Sequence, residues 1–542
     1  MFITAYAPFG DKGILIRVET DIRRGIPGID ISGLAEGAVK ESRERVRAAF
    51  RNVGLAFPLD RILINLAPAG LKKEGAALDL PIALSVMSAA GLIPDLASLP
   101  EQMMVLGELE LSGRVRPVRG VLAAVAAGLS DGIRFFIVPK ENEEEAAILL
   151  ARDNGREIHY TAVSSLDEAA HVLVMLTKEG SFPAALRSAP VPAGNSNESE
   201  LGDFSCVYGH ARYKRAMEIA AAGGHNLLVF GAPGSGKTML ARRMPAIMAP
   251  LTPEEAVEVT RIHSLAGASG ENFSFLTHPP FRAPHHSASA EGILGGGRTI
   301  QPGEISLAHF GVLFLDEAPL FKSNVLQAIR EPLQDRLITV VRAQGPVKLP
   351  ADFQLVMAAN ACPCGKLGAE GNSEPGIEDE FASQSGDCFC SPEEIHKYWR
   401  KFGGALLDRI DLRVPVAGNS KMYRQAGKCE ETSAVIKQRV TEAVEVQRRR
   451  FDRENITCRR NARMNPAQIE RYCKLTKKAD QMFRKAAERL SFSGRAYHSI
   501  LKTARTIADL DRRETIDTEH ILEAVQHRRP GDDPYDVLSI QP

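Results

Sequence analysis

The stretch from Asn226 to Leu240, NLLVFGAPGSGKTML, constrains this chain more than any other. Asn226 to Phe230 reads as a short buried strand. Gly231, Ala232, Pro233, Gly234, Ser235, Gly236, Lys237 and Thr238 then fit G-x-x-x-x-G-K-[ST]. A helix is predicted from about Lys237 to Met248. Strand, glycine-rich turn and helix, in that order, are what a phosphate loop requires. The glycines let backbone N–H groups turn inward around phosphate oxygens without a Cβ clash. The helix start adds partial positive charge. Lys237 is expected on the β- and γ-phosphates of ATP, and Thr238 on Mg²⁺.

A chain of 542 residues has room for roughly three or four domains. Lys plus Arg (67) equals Asp plus Glu (67), so overall charge announces no polyanionic partner and any basic surface must be local. Residues 1–25 lack an apolar core, so no secretory leader is expected. The apolar run from Leu80 to Ile93 contains Pro81 and is too short to span a bilayer. The expected location is the cytoplasm, with no membrane partner. There, the eight cysteines are expected as thiols or metal ligands rather than disulfides.

Residues 1–178 read as a mixed α/β domain. Gly13 to Glu19, Gly28 to Ile31 and Arg61 to Leu66 are predicted strands. Val39 to Val53 is a predicted basic amphipathic helix whose Arg43, Arg45, Arg47 and Arg51 are expected on a solvated face. The segments LKKEGAALDLPIALSVM (Leu71 to Met87) and GELELSGRVRPVRGVLAAVAAG (Gly107 to Gly128) resemble the proteolytic domain of Lon-type proteases. That family uses a Ser–Lys dyad in these segments. Ala77 stands at the serine position and Leu122 at the lysine position, and neither can do acyl chemistry. Residues 179–203, rich in Pro, Ser, Gly and Asn, are expected as a flexible linker.

A nucleotide core is expected over 204–417. Gly311-Val312-Leu313-Phe314-Leu315-Asp316-Glu317 reads as a strand buried on both faces of a parallel sheet, with its carboxylates emerging at the C-terminal edge. Asp316 is the expected Mg²⁺ partner and Glu317 the group that polarises the attacking water. Phe353 to Ala358 is a third strand ending near Asn360, a candidate partner of the γ-phosphate or the water, or else a turn residue capping the strand. Leu406-Leu407-Asp408-Arg409-Ile410-Asp411 leads into a strand from Leu412 to Val416. Arg409 is either an arginine finger for a neighbouring subunit or the local partner of Asp408 or Asp411.

GAPGSGKT, GVLFLDE, PFRAPHHSAS (Pro280 to Ser289), PGEISLAH (Pro302 to His309) and LLDRID together resemble the YifB/ComM family, AAA+ ATPases related to the magnesium chelatase motor subunit. The resemblance covers nearly the whole chain. Ala361 departs from it, standing where proline is expected. The fold it implies is multidomain α/β: a Lon-like α/β N-terminal domain, an AAA+ core with a parallel sheet, and an all-α lid over 418–530, before a tail at 531–542. It implies roles for Lys237, Thr238, Asp316, Glu317, Asn360 and Arg409, a homo-hexameric ring, and DNA as the substrate of helicase or branch-migration work. Arg495 resembles the lid arginine that touches the γ-phosphate, with Arg505 the alternative.

Two insertions follow from the same resemblance. One spans about Thr260 to Leu307 and carries His285, His286 and Arg298. On an extended segment, adjacent histidines point to opposite sides, which favours a structural or pore-lining role over a metal. The other is a predicted hairpin, Leu337 to Arg342, turning at Gln344-Gly345-Pro346 and returning through Val347-Lys348-Leu349. Arg298, Arg342 and Lys348 are candidate DNA phosphate contacts, or plain solvated charges. Cys362, Cys364, Cys388 and Cys390 form two C-x-C pairs, candidate ligands of a structural Zn²⁺ or free thiols. From Lys437 to Arg463 nine basic residues outnumber four acidic ones, a solvated face or a nucleic-acid surface. Competing readings are a magnesium chelatase-type motor, a protein-remodelling ATPase, an ATP-dependent protease (disfavoured by Ala77 and Leu122) and a scaffold (disfavoured by the intact ATPase set).

Overall fold

The computed structural model describes residues 2–10, 13–34, 37–70, 73, 77–94, 102–150, 158–179, 202–267, 274–297, 300–342, 345–367, 388–416, 430–453, 459–490 and 492–528. The expected linker lies almost wholly outside them, as do Arg298 and the tail.

The front domain is built on a mixed sheet of seven strands. Their spatial order is Gly28–Ser32, Arg61–Ala67, Ile14–Arg23, Ile3–Ala7, Met103–Val105, Phe135–Pro139 and His159–Val163. Alternation sets its inner face: in Arg61–Ala67, Ile62, Ile64 and Leu66 are fully buried. The helix Ala38–Asn52 keeps Arg43, Arg47 and Arg51 exposed, as expected. Arg45 differs. Its Nε donates to buried Asp79 at 2.6 Å, and Ser42 shares the same carboxylate. A buried carboxylate needs partners, and the helix supplies them.

The nucleotide core is a five-stranded, all-parallel sheet ordered Phe281–Arg282, Val312–Leu315, Gln354–Asn360, Leu227–Gly231, Leu412–Val416. Both faces are covered. Leu227 and Val229 face one hydrophobic cluster, Leu228 and Phe230 another. The helix after the phosphate loop is shorter than the pattern predicts. It runs Lys237–Ala241, then gives way to a 3₁₀ turn, Met244–Ile247. Pro245 has no N–H to continue the ladder.

The lid helices are Ser433–Asp452, Pro466–Tyr472, Lys477–Arg489, Gly494–Leu510 and Thr518–Arg528. Val440, Ile500 and Ala504 share one core with Leu227, Val229 and the helix Ala211–Gly223. The basic run is only partly a solvated face: Arg449 and Arg453 are exposed, while others are held in ion pairs. Arg448 and Arg459 pair with Glu255, Arg450 with Asp509, and Arg463 with Asp352. These arginines join the lid to the core and to itself.

The front domain packs on the core through the helix Val121–Ser130 and the core helix Pro253–Ala266. Leu122 and Ile148 meet Ala256 and Phe275 in one apolar cluster. Beside them Glu145 is 1% exposed. It accepts from the Leu122 N–H and from Asn142 Nδ2, both at 2.9 Å, and from the Ser264 hydroxyl across the interface. Burial outweighs these bonds and pushes its acid up to about 7.

Candidate functional site

The sheet register gathers the expected nucleotide residues at one edge. Gly231 lies between Asn360 on one neighbouring strand and Val416 on the other. A Cβ on Gly231 would stand 1.9 Å from the Val416 carbonyl oxygen, so only glycine fits. Gly234 and Gly236 have φ of 73° and 77°, and no atom lies within 4 Å of a Cβ built at Gly234. That open, left-handed backbone is free to approach phosphate.

Lys237 Nζ donates to the Gly231 and Ala232 carbonyls at 3.0 and 2.6 Å and to Ser235 Oγ at 3.4 Å. Burial lowers its pKa, against Asp316 and Glu317, which raise it. A cation held over the loop by weak neutral acceptors suits a polyphosphate. Thr238 Oγ1 donates to Asp316 Oδ2 at 2.9 Å, bringing both expected Mg²⁺ ligands together. Glu317 follows in the left-handed region, φ 47° and ψ 46°, its N–H donating to Asp316 Oδ1 at 3.0 Å. A non-glycine residue held there is strained, and such strain clusters at functional sites. These groups fit a nucleotide and its divalent ion. The five-residue helix Lys237–Ala241 contributes less dipole than the predicted long one.

Two neighbours escaped the sequence reading. Buried Tyr213 donates its hydroxyl to the Lys237 carbonyl at 3.0 Å, and burial pushes its phenol up. His210 stands at φ 53°, its Nε2 3.6 Å from where a Cβ on Gly236 would be. The only hint was their place just ahead of the phosphate-loop strand.

Arg409 lies elsewhere. Leu412 pairs with Leu227, and the Arg409 carbonyl accepts from Asn226 Nδ2 at 2.9 Å, so it sits at the entry edge of the sheet. Four residues of parallel strand separate that edge from Gly231 by about 13 Å. Arg409 donates to Ala405 O at 2.6 Å and to Gln334 Oε1 at 2.7 Å. Neither contact is the salt bridge considered for it. Arg495 reaches the same Gln334 oxygen at 3.5 Å. Burial, then repulsion from Arg495 and Arg330, lowers the Arg409 pKa. Arg505 is 1% exposed, and its guanidinium is used by Asp509 and the Glu514 and Arg513 carbonyls.

The hairpin forms as Leu337–Arg342 and Gly345–Pro350, with Arg342 opposite Gly345 and Val341 opposite Pro346, so Gly345 and Pro346 belong to the returning strand rather than to the turn expected of them. Lys348 is exposed opposite Thr339, while Ile338, Val347 and Leu349 bury the base. The His285 and His286 rings do not point apart. A turn at 286–287 brings their centroids to 4.0 Å. Among the described residues, one cluster has metal-ligand composition: Cys362, Cys364, Cys388 and Cys390, whose sulfurs all lie within 4.8 Å of one another. No described helix is long and apolar enough to cross a membrane.

Three family models match the chain: "Magnesium chelatase, subunit ChlI" over 203–423, "Subunit ChlI of Mg-chelatase" over 18–142, and "Magnesium chelatase, subunit ChlI C-terminal" over 430–528. The chain is 38% identical over 524 residues to Competence protein ComM of Haemophilus influenzae, covering 96% of each. It is 38% identical over 526 residues to the uncharacterized protein YifB of Escherichia coli, again covering 96% of each. A shorter match, 25% over 198 residues, is to a Lon protease of Chloroflexus aggregans, covering 35% of this chain and 22% of that one.

Proposed function

The chain belongs to the YifB/ComM family of magnesium chelatase-like AAA+ ATPases, and we propose that it hydrolyses ATP as a homo-hexameric ring that moves DNA, as a helicase or branch-migration factor. The observation that carries the ATPase reading is the meeting of Thr238 and Asp316 beside the loop that holds Lys237. Gly231, Ala232, Pro233, Gly234, Ser235 and Gly236 wrap the phosphates, and Lys237 neutralises them. Thr238 and Asp316 hold the Mg²⁺, which supplies charge stabilisation to the transferring phosphoryl group. Glu317 accepts a proton from the attacking water, and Asn360 orients that water or the γ-phosphate.

Arg409 serves a neighbour's nucleotide, and Arg495, the lid arginine expected on the γ-phosphate, lies beside it. Their shared place on Gln334, at the sheet edge away from their own loop, supports this. DNA is the reading supported by similarity to a competence protein and by the exposed Lys348 of the hairpin. Arg298, Arg342 and Lys348 contact its phosphates. The front domain, 1–178, takes the Lon-type fold without the dyad, the core spans 204–417 and the lid 418–530. The four cysteines hold a structural Zn²⁺. A second reading, a chelatase-type or protein-remodelling motor, is favoured by the family models, all of which describe chelatase subunits.

The test is ATP turnover by the purified chain on forked, four-way and plain duplex DNA. Junction DNA raises turnover if the reading holds. A protein that hydrolyses ATP yet neither binds nor responds to DNA hands the case to the second reading.

A further inference from the structure

The cysteine quartet stands at the nucleotide site rather than on a remote loop. Cys362 follows the Gln354–Asn360 strand by two residues. Gly365, at φ +78°, closes a turn with its N–H on the Cys362 carbonyl at 3.1 Å. That turn lies against the phosphate loop: a Cβ on Gly365 would fall 2.6 Å from Pro233 Cγ and 3.9 Å from Asn360 Nδ2. The second pair, Cys388 and Cys390, leads into the helix Pro392–Arg400, whose Ser391 and Glu394 form a capping box. Trp399 of that helix donates its indole N–H to the Ala361 carbonyl at 3.0 Å. The same ring meets Phe230 of the phosphate-loop strand edge-on, centroids 5.3 Å apart.

The sulfur geometry suits a metal. Cys362 and Cys364 are 3.3 Å apart, and Cys388 is 3.6 Å from each of them. Thiolates about 2.3 Å from a tetrahedral zinc stand roughly 3.8 Å from one another. The Leu367 N–H donates to Cys362 Sγ at 3.4 Å, an outer-shell contact of the kind that steadies a thiolate ligand.

Resting on the ATPase and zinc readings above, we propose that this zinc is a clamp on ATP turnover. It ties the end of the Asn360 strand to the Trp399 helix, and so fixes the turn that abuts Pro233 and Asn360. The four cysteines are positioning residues. They touch no substrate and act through Asn360 and the loop.

The experiment uses the full chain. Zinc content and the visible spectrum of the Co²⁺-substituted protein are read without nucleotide. ATP affinity and turnover are then read on wild type, on metal-stripped and refilled wild type, and on Cys364→Ser, Cys390→Ser and, as control, the exposed thiol variant Cys206→Ser. The expected result is about one zinc per chain and the absorption of a tetrahedral cobalt–thiolate centre. Stripping, Cys364→Ser and Cys390→Ser should each lower kcat by about 10- to 100-fold, the cost of a misplaced site group, with ATP affinity retained. Refilling should restore the stripped wild type but not the variants, and Cys206→Ser should behave as wild type. No zinc and no cobalt spectrum, with four titratable thiols, overturns the metal assignment. Metal lost with kcat unchanged overturns the clamp. A zinc-loaded wild type that never hydrolyses ATP overturns the ATPase reading itself, a separate failure from either.

Discussion

The front domain and the nucleotide core are both α/β, yet they treat their polar positions in opposite ways. In the core, Lys237, Thr238, Asp316, Glu317 and Asn360 are kept at one sheet edge, around a backbone with open space above Gly234. In the front domain, Ala77 and Leu122 stand at the positions where the Lon resemblance expects a nucleophile and a base. Leu122 is fully buried against Ala256 and Phe275 of the core. Its own N–H is answered by Glu145, a carboxylate that burial keeps protonated into the neutral range. The contrast teaches that a fold does not carry its chemistry with it. A few edge residues decide whether a domain reacts or packs.

The sharpest way to break the comparison is at Arg409. If the core's chemistry is completed from a neighbour, Arg409→Ala should bind ATP but lose about 10³-fold or more in turnover. Mixing it with Lys237→Ala protein should return activity. Mixed rings that form without recovering any would mean the guanidinium serves only its Gln334 contact. Next comes Glu317→Gln, expected to keep ATP binding and lose about 10²- to 10³-fold in turnover, as for a missing general base. Wild-type rates would remove Glu317 from its role.

The front domain makes the complementary case. Ala77→Ser with Leu122→Lys should give no casein or peptide cleavage. The new ammonium would leave water for the apolar cluster of Ile148, Ala256 and Phe275, with Glu145 the carboxyl beside it, and this desolvation should lower the melting temperature. Cleavage by the double variant would show that this domain still holds a working site. The smallest effect concerns Glu145. Its ordinary pKa near 4.5 applies unfolded and about 7 folded, so the folded chain binds more protons between these values. Its contribution is fully present below pH 4.5 and is lost as pH rises through 7, at most about 3 kcal/mol. Glu145→Gln should lack that slope, so the difference between the wild-type and variant melting-temperature curves should change between pH 4.5 and 7. Parallel curves would refute the assignment.

The sequence was most legible where one pattern had one physical meaning. The phosphate loop, the buried run Val312–Leu315 and the hairpin read directly, because glycine spacing and apolar continuity are local properties. Arg45 was misread because its partner, Asp79, is 34 residues away and helix periodicity says nothing of it. Part of the basic run differs for the same reason: Glu255 and Asp352, which pair with Arg448 and Arg463, lie far off in sequence. The end of the Lys237 helix hangs on Pro245, a single missing N–H that apolar periodicity does not register. Arg409 had two local partners on offer, Asp408 and Asp411. Asp411 instead accepts from Ser499 at 2.5 Å and sits 3.2 Å from His225 Nδ1, which leaves the guanidinium to Gln334. Tyr213 could not be found at all without the third dimension.

The strand Leu412–Val416 carries Arg409 just ahead of one end and meets Gly231 at the other. If Arg409 serves a neighbour's loop, as proposed, each subunit offers at one end what it needs at the other, and a ring sets such subunits head to tail. A head-to-tail contact of that kind would be heterologous, and repeating it would give every junction the same sense of direction. Such an assembly closes only if the rotation per step divides a full turn. Otherwise it climbs into an open spiral. Either way its two faces differ, so anything threaded through it meets an entrance unlike its exit.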